Sequence, residues 1–175
     1  ALPISIFSQR YTGSSNEKII QDSNVLSIIA KPDSKIADRV YFNKLFKPVI
    51  NSSQDLFSYS KKQNAIYKGI LNFVNYSVKG YLDWNNTNKI NFNSDIDDHH
   101  IFPKDYILKN SNDDSEERDF IDCVVNRTLI PKITNIKIGN KPPSIYLKEI
   151  RDNKNASLET SLKSHYIEID IINGS

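Results

Sequence analysis

Asp95-Ile96-Asp97-Asp98-His99-His100-Ile101-Phe102-Pro103 is the stretch from which fold and chemistry are read. The chain has 3 histidines, and two of them stand side by side here. The segment 95–102 is short and strand-compatible. Neighbours on a strand point to opposite faces, so His99 and His100 can divide two tasks. Asp97 shares the face of His99 and could supply a carboxylate there. Downstream, Val124-Val125-Asn126-Arg127-Thr128-Leu129-Ile130 reads as a second strand. Pro131 can open a helix at its first turn, and Gly139 can close it. Asn135 falls on that helix. Residues 110–119 between the strands are polar and acidic and read as a loop. The predicted order from Asp95 onward is strand, loop, strand, helix.

Outward from this unit the chain reads as helical. Ser14-Ser15-Asn16 offers a cap for a helix over 17–29, with Ile19, Ile20, Leu26 and Ile29 as apolar positions. Pro32 ends it, and a second helix is expected from about residue 34 to 45. The strongest helical spacing lies in 61–78, at Ile66, Tyr67, Ile70, Leu71, Val74 and Val78, with Gly80 just past its end. Residues 84–94 are Asn-rich and turn-like. After Pro142-Pro143, helices are expected over 144–151 and 156–165. The fold class is α+β. A helical N-terminal layer over residues 1–94 leads into the strand-strand-helix core and following helices over 95–175, read as one structural domain.

At 175 residues the chain can bury one sizeable core. Apolar content of 38% and charged content of 25% fit a globular protein at the polar end. There is no run of about 18 apolar residues, so no membrane span is expected. The N-terminus lacks the basic and apolar regions of a signal peptide. The lone Cys123 precludes an intrachain disulfide and fits a reducing cytoplasm, the expected location. It sits in an apolar run and reads as a buried, inert thiol. The first residue is Ala and the chain has no Met, which reads as a fragment or processed product of a longer protein. A net charge of +2 is too small to imply nucleic-acid binding from bulk electrostatics, so any such function must rest on a local site.

The residues at that site suit phosphodiester hydrolysis, which needs an activated water, charge relief on the phosphate and help for the leaving 3′ oxygen. A neutral imidazole can take a proton from water near pH ~7. A divalent metal can neutralise the phosphate and stabilise the leaving oxygen. It requires oxygen or imidazole ligands converging from separate elements.

His99-His100-Ile101-Phe102-Pro103, then Asn126-Arg127-Thr128-Leu129-Ile130, then the run from Asn135 through Lys141-Pro142-Pro143-Ser144-Ile145-Tyr146-Leu147 resemble the HNH, or ββα-metal, nuclease family. Within it, the closer likeness is to the C-terminal HNH domain of GmrSD-type modification-dependent restriction enzymes. Phe7-Ser8-Gln9-Arg10-Tyr11-Thr12-Gly13-Ser14-Ser15 resembles the helical lead-in of that domain. The likeness implies His100 as general base, His99 and Asn135 as metal ligands, and Asn126 as the residue that orients the site. Asp97 is an additional candidate ligand. With Asn as the far ligand the site favours Mg²⁺ or Mn²⁺, while His99 in place of the family's Asp softens it. The family likeness also implies a role in defence against phage DNA and a partner domain, N-terminal to this one, that hydrolyses nucleotides. No P-loop appears within the chain itself.

Each residue has a plainer explanation when taken singly. Adjacent histidines are mostly solvated, Asn126 would be a turn residue, and Asn135 would lie on a helix surface. Their joint register gives them the catalytic meaning. Lys137, Lys141 and Arg127 are expected to contact DNA phosphates flanking the scissile bond. His165, outside the motif, reads as structural or surface. Two other functions fit the same pattern: a DNA-binding or docking module without turnover, and the nuclease domain of a bacterial toxin. Metal-dependent nicking abolished by EDTA separates the first from an enzyme. Inhibition by a small acidic cognate protein marks the second.

Overall fold

The computed structural model describes residue 7 and residues 15–29, 49–112 and 116–173. The chain divides into two compact units, Ala1–Asp55 and Leu56–Ser175. The expected helix over 34–45 and most of the lead-in stretch after Phe7 lie outside the described residues.

In the first unit, helix α1 spans Ser15–Ile29 with Glu17 in its first turn, where a negative charge suits the helix dipole. Ile19 and Ile20 are exposed. Ser23 and Asn24, one turn beyond them, are exposed as well.

The second unit holds the strand pair and everything that packs on it. Helix α2, Ala65–Ser77, is capped by Asn64, whose side chain accepts from Ile66 N. Lys79 and Gly80 take φ of 59° and 110° to turn the chain out of the helix, and glycine makes the second of these cheap. The Asn-rich turn that follows is pinned from the far end of the chain. Asn155 donates to Trp84 O, Ser161 donates to Asp83 O, and Ser164 Oγ accepts from Leu82 N.

Strands β1, Ile96–His100, and β2, Arg127–Pro131, form an antiparallel two-stranded sheet. His99 stands opposite Thr128, and His100 opposite Arg127. Side chains alternate across this ribbon. Ile130 enters a core with Trp84, Ile138, Tyr146 and Leu147. Leu129 points the other way, to Tyr67, Leu71 and Val124. The second strand begins three residues later than expected, because Val124–Asn126 form a 3-10 turn. That turn spends the backbone groups a longer ladder would need: Val124 N donates to Tyr59 O, and Asn126 N to Cys123 O.

Helix α3, Lys104–Asn110, starts directly after Pro103 and was not expected from the sequence. A one-turn helix α4, Glu116–Asp119, lies within the expected loop. Helix α5, Lys132–Ile138, follows β2 with Pro131 at its N-cap and ends at Gly139, φ 60°. Helices α6, Pro143–Asn153, and α7, Leu158–Lys163, complete the core. The architecture is therefore mixed α and β, largely helical around a small sheet. The compact unit that carries the strands spans Leu56–Ser175. Helix α2 and the Trp84 turn supply Tyr67 and Trp84 to its two cores, which ties them to it.

Among the described residues no helix is long and apolar enough to cross a membrane. Cys123 is buried, its Sγ reaches Leu56 O at 3.4 Å, and burial pushes its thiol pKa up.

Candidate active site

Strand alternation sorts the site into two clusters. On the face toward α5 stand Asp97 and His99. His99 Nδ1 lies 2.7 Å from Asn135 Oδ1, and Asn135 Nδ2 donates to Asp97 Oδ2 at 2.9 Å. Pro131 starts α5 immediately after β2, so the first turns of that helix run back beside β1 and bring Asn135 to His99. The chain thus joins three candidate ligands separated by up to 38 positions.

His99 is 2% exposed. Its ring meets Trp84 and Tyr146 nearly at right angles, with centroids 5.4 and 5.8 Å away. Burial among these rings lowers its pKa to about 4, although the Asn135 contact opposes the shift. The imidazole is therefore neutral at pH ~7 and keeps a lone pair for a ligand. Its Nε2 is buried and has no hydrogen-bond partner. With its single hydrogen on Nδ1 the ring donates an ordinary hydrogen bond to Asn135 Oδ1; with the hydrogen on Nε2, Nδ1 carries the free lone pair beside that oxygen. Neighbouring ligands on one small divalent ion, each bonded at about 2.1 Å, stand about 3 Å apart. His99, Asn135 and Asp97 could hold such an ion with one imidazole, one amide and one carboxylate. Among the described residues no group of three or more His, Cys, Asp or Glu is gathered for a metal, so any such site depends on the amide.

The opposite face carries His100 and Asp98. His100 Nε2 donates to Asp122 Oδ1 at 3.0 Å. Burial lowers the His100 pKa below its ordinary value, with the Asp122 hydrogen bond pulling the other way. Burial pushes the Asp122 carboxyl up, but His100 and Arg127 outweigh it and hold the group below the usual range. Arg127 was expected on a DNA phosphate. Its side chain is instead 2% exposed and tied to two carboxylates, Asp122 and Asp98. The fold needs that charge inside, which removes it from the surface where a phosphate would be met. Tyr67 donates to Asp98 Oδ2 at 2.7 Å, and Lys62 lies 3.5 Å from the same oxygen.

Asn126 is buried and bonds backbone on both sides. It accepts from Phe102 N at 2.8 Å and donates to Phe102 O and Ile121 O, each at 3.0 Å. It fixes the segment leaving His100 and does not touch the imidazole. Lys137 is exposed on α5 beside Lys154. Lys141 is paired with Glu149 at 2.6 Å, both half exposed. His165 is buried and structural: it donates from Nε2 to Leu82 O and accepts from Thr128, stacked on Tyr81 at 4.5 Å.

Sequence reading missed Asp122, Tyr67 and the Trp84–Tyr146 pair around His99. Asp122 alone left a trace, as a single acid inside the apolar run Phe120-Ile121-Asp122-Cys123-Val124. A groove of about 690 Å³ opens beside Phe102 and Asn126, lined by Tyr106, Phe120 and Ile171. It is mostly apolar, and neither His99 nor Asn135 lines it.

An uncharacterized protein of Methanocaldococcus jannaschii is 32% identical to this chain over 173 residues, covering 93% of the chain. The chain spans 28% of that relative's length. No protein-family model matches the chain. No solved structure matches it.

Proposed function

We propose that this chain is a metal-dependent endonuclease of the HNH, ββα-metal type that hydrolyses DNA phosphodiester bonds. One observation carries the reading: His99 Nδ1 and Asn135 Oδ1 face each other at 2.7 Å on a strand-strand-helix unit, with His100 next in the chain. With the ring hydrogen on Nε2, the 2.7 Å spacing is close to that of neighbouring ligands on one small divalent ion. Asp97, 2.9 Å from Asn135, completes a hard set that suits Mg²⁺ or Mn²⁺. A divalent ion held there would offset the charge of the phosphate and of the leaving oxygen.

The chain's own groups do the rest. β1 has its outer edge free of any other described strand, so a phosphate lying across that edge can be met from both faces of the ribbon. His100 takes a proton from the attacking water. Asn126 holds the loop behind it. Lys137 and Lys141 bind phosphates on either side of the scissile bond; the surface pair Lys141–Glu149 is weak enough to open for this. Arg127 has no part in phosphate contact. A single site of this kind cuts one strand. The biological setting we propose is restriction of phage DNA, supported by the likeness of the three motifs to modification-dependent restriction enzymes. A nucleotide-hydrolysing domain elsewhere in the full-length protein belongs to the same proposal.

The test is conversion of supercoiled plasmid to the nicked form with Mg²⁺ or Mn²⁺. Cleavage that EDTA abolishes is the expected result. A protein that binds DNA but leaves it intact with either metal would make the chain a binding module instead.

A further inference from the structure

We infer that Asp122 is the positioning residue of His100, fixing the imidazole tautomer that leaves Nδ1 as the nitrogen that accepts the proton. The role in proton transfer rests on the nuclease reading; the tautomer does not. An ionised carboxylate can only accept hydrogen bonds. The 3.0 Å contact from Asp122 Oδ1 to His100 Nε2 therefore puts a hydrogen on Nε2. A neutral imidazole has one such hydrogen, so the lone pair sits on Nδ1. That atom has no hydrogen bond to a described residue and is not among the buried unpartnered atoms. It is open to water.

Asp122 is half exposed and would turn freely if left alone. Arg127 prevents this by donating to the same oxygen, Oδ1. Arg127 is itself clamped, donating from a second nitrogen to the Asp98 carbonyl and carboxylate at 3.2 and 3.3 Å. Tyr67 in turn holds Asp98 from α2. The chain of contacts runs from the buried Tyr67 on α2 to the imidazole and ends there. It gives a buried arginine and two carboxylates a purpose that DNA contact cannot supply. It also divides the orienting work: Asn126 fixes backbone, and Asp122 fixes the ring.

In the step this serves, an O–H bond of water breaks and its proton goes to His100 Nδ1. The oxygen keeps the electron pair and bonds to phosphorus. The bond from phosphorus to the 3′ oxygen breaks, and that oxygen takes a proton from solvent. The imidazolium keeps its Nε2 hydrogen on Asp122, which stays ionised throughout.

Long-range ¹H–¹⁵N spectra of the uniformly labelled chain test this directly, with His99→Gln and His165→Gln used to assign the three rings. In the wild type at neutral pH, His100 should show a protonated Nε2 and a bare Nδ1. Asp122→Ala should shift both nitrogens toward the average of exchanging tautomers. It should slow single-turnover nicking about tenfold to a hundredfold, part of the roughly 10²–10⁴ that a general base supplies, with DNA affinity unchanged. Asp122→Asn, which keeps an accepting oxygen, should recover part of both signals. A wild-type proton on Nδ1, or an Asp122→Ala spectrum identical to wild type, would overturn the assignment. A correct tautomer in a protein that never nicks DNA would instead count against the nuclease reading alone.

Discussion

His99 Nδ1 and Asn135 Oδ1 lie 2.7 Å apart although 36 positions separate them in the chain. Two elements that meet only in the fold thus bring an imidazole nitrogen and an amide oxygen to one point. If the pair binds a divalent ion, Mn²⁺ should stabilise the chain, by roughly 3 kcal/mol at a hundredfold excess over Kd. His99→Ala and Asn135→Ala should each weaken Mn²⁺ binding about 10-fold or more. Calorimetric titration and thermal melts with and without the ion check both. Equal stabilisation of wild type and both variants would place the ion elsewhere.

Arg127 carries a prediction of the opposite kind, about stability rather than binding. Its guanidinium is buried between Asp98 and Asp122. Removing one member of a buried ionic group leaves the others uncompensated, at a cost of about 3–5 kcal/mol. Because Asp122 is half exposed and can recover water, the lower end is expected for Arg127→Met. Urea denaturation measures it. A change below about 1 kcal/mol, as for an ordinary surface arginine, would show that the charge is not buried in solution.

Stability should also depend on pH through His165. Burial lowers its pKa from 6.5 to about 4 in the folded chain. Below 6.5 the unfolded chain binds a proton that the folded one resists, so this contribution is complete above pH 6.5. It is lost as pH falls toward 4 and amounts to roughly 3 kcal/mol at most. His165→Gln should flatten the fall of stability over that interval, as followed by denaturant titrations at a series of pH values. An unchanged slope would mean that the ring protonates as easily folded as unfolded.

The proposed phosphate contacts are separable from the chemistry. Each phosphate neutralised by a lysine contributes about 0.9 to the slope of log K against log salt. Neutralising Lys137 and Lys141 together should weaken DNA binding and reduce that slope by up to about 2. Fluorescence anisotropy over a range of salt concentrations reads it, and an unchanged slope would remove both residues from the interface.

How much of this was legible in the sequence depends on the range of the interaction. The strand pair and the short helix after Pro131 were readable because proline, glycine and alternation act locally. The start of the second strand was not, since Asn126 closes a turn through Phe102 and Ile121, contacts that no local pattern encodes. Helix α3 was missed because Pro103 begins it without a side-chain cap. At the site, the motif spacing pointed to His99 and Asn135, which the fold brings within 2.7 Å, but charge alone did not show that Arg127 is buried against Asp98 and Asp122. A basic residue in a strand looks the same on paper whether it faces solvent or two carboxylates. Asp122 and Tyr67 become visible only once distant elements pack against the strand pair.

The central claim is that the two histidines and Asn135 form a cleavage site. Plasmid nicking by wild type, His100→Ala and Asn135→Ala, each verified as folded and assayed with Mg²⁺ and Mn²⁺, tests it most directly. The account predicts nicking by the wild type that EDTA stops, with a loss of about a hundredfold or more in each variant. Full activity in both variants would contradict it.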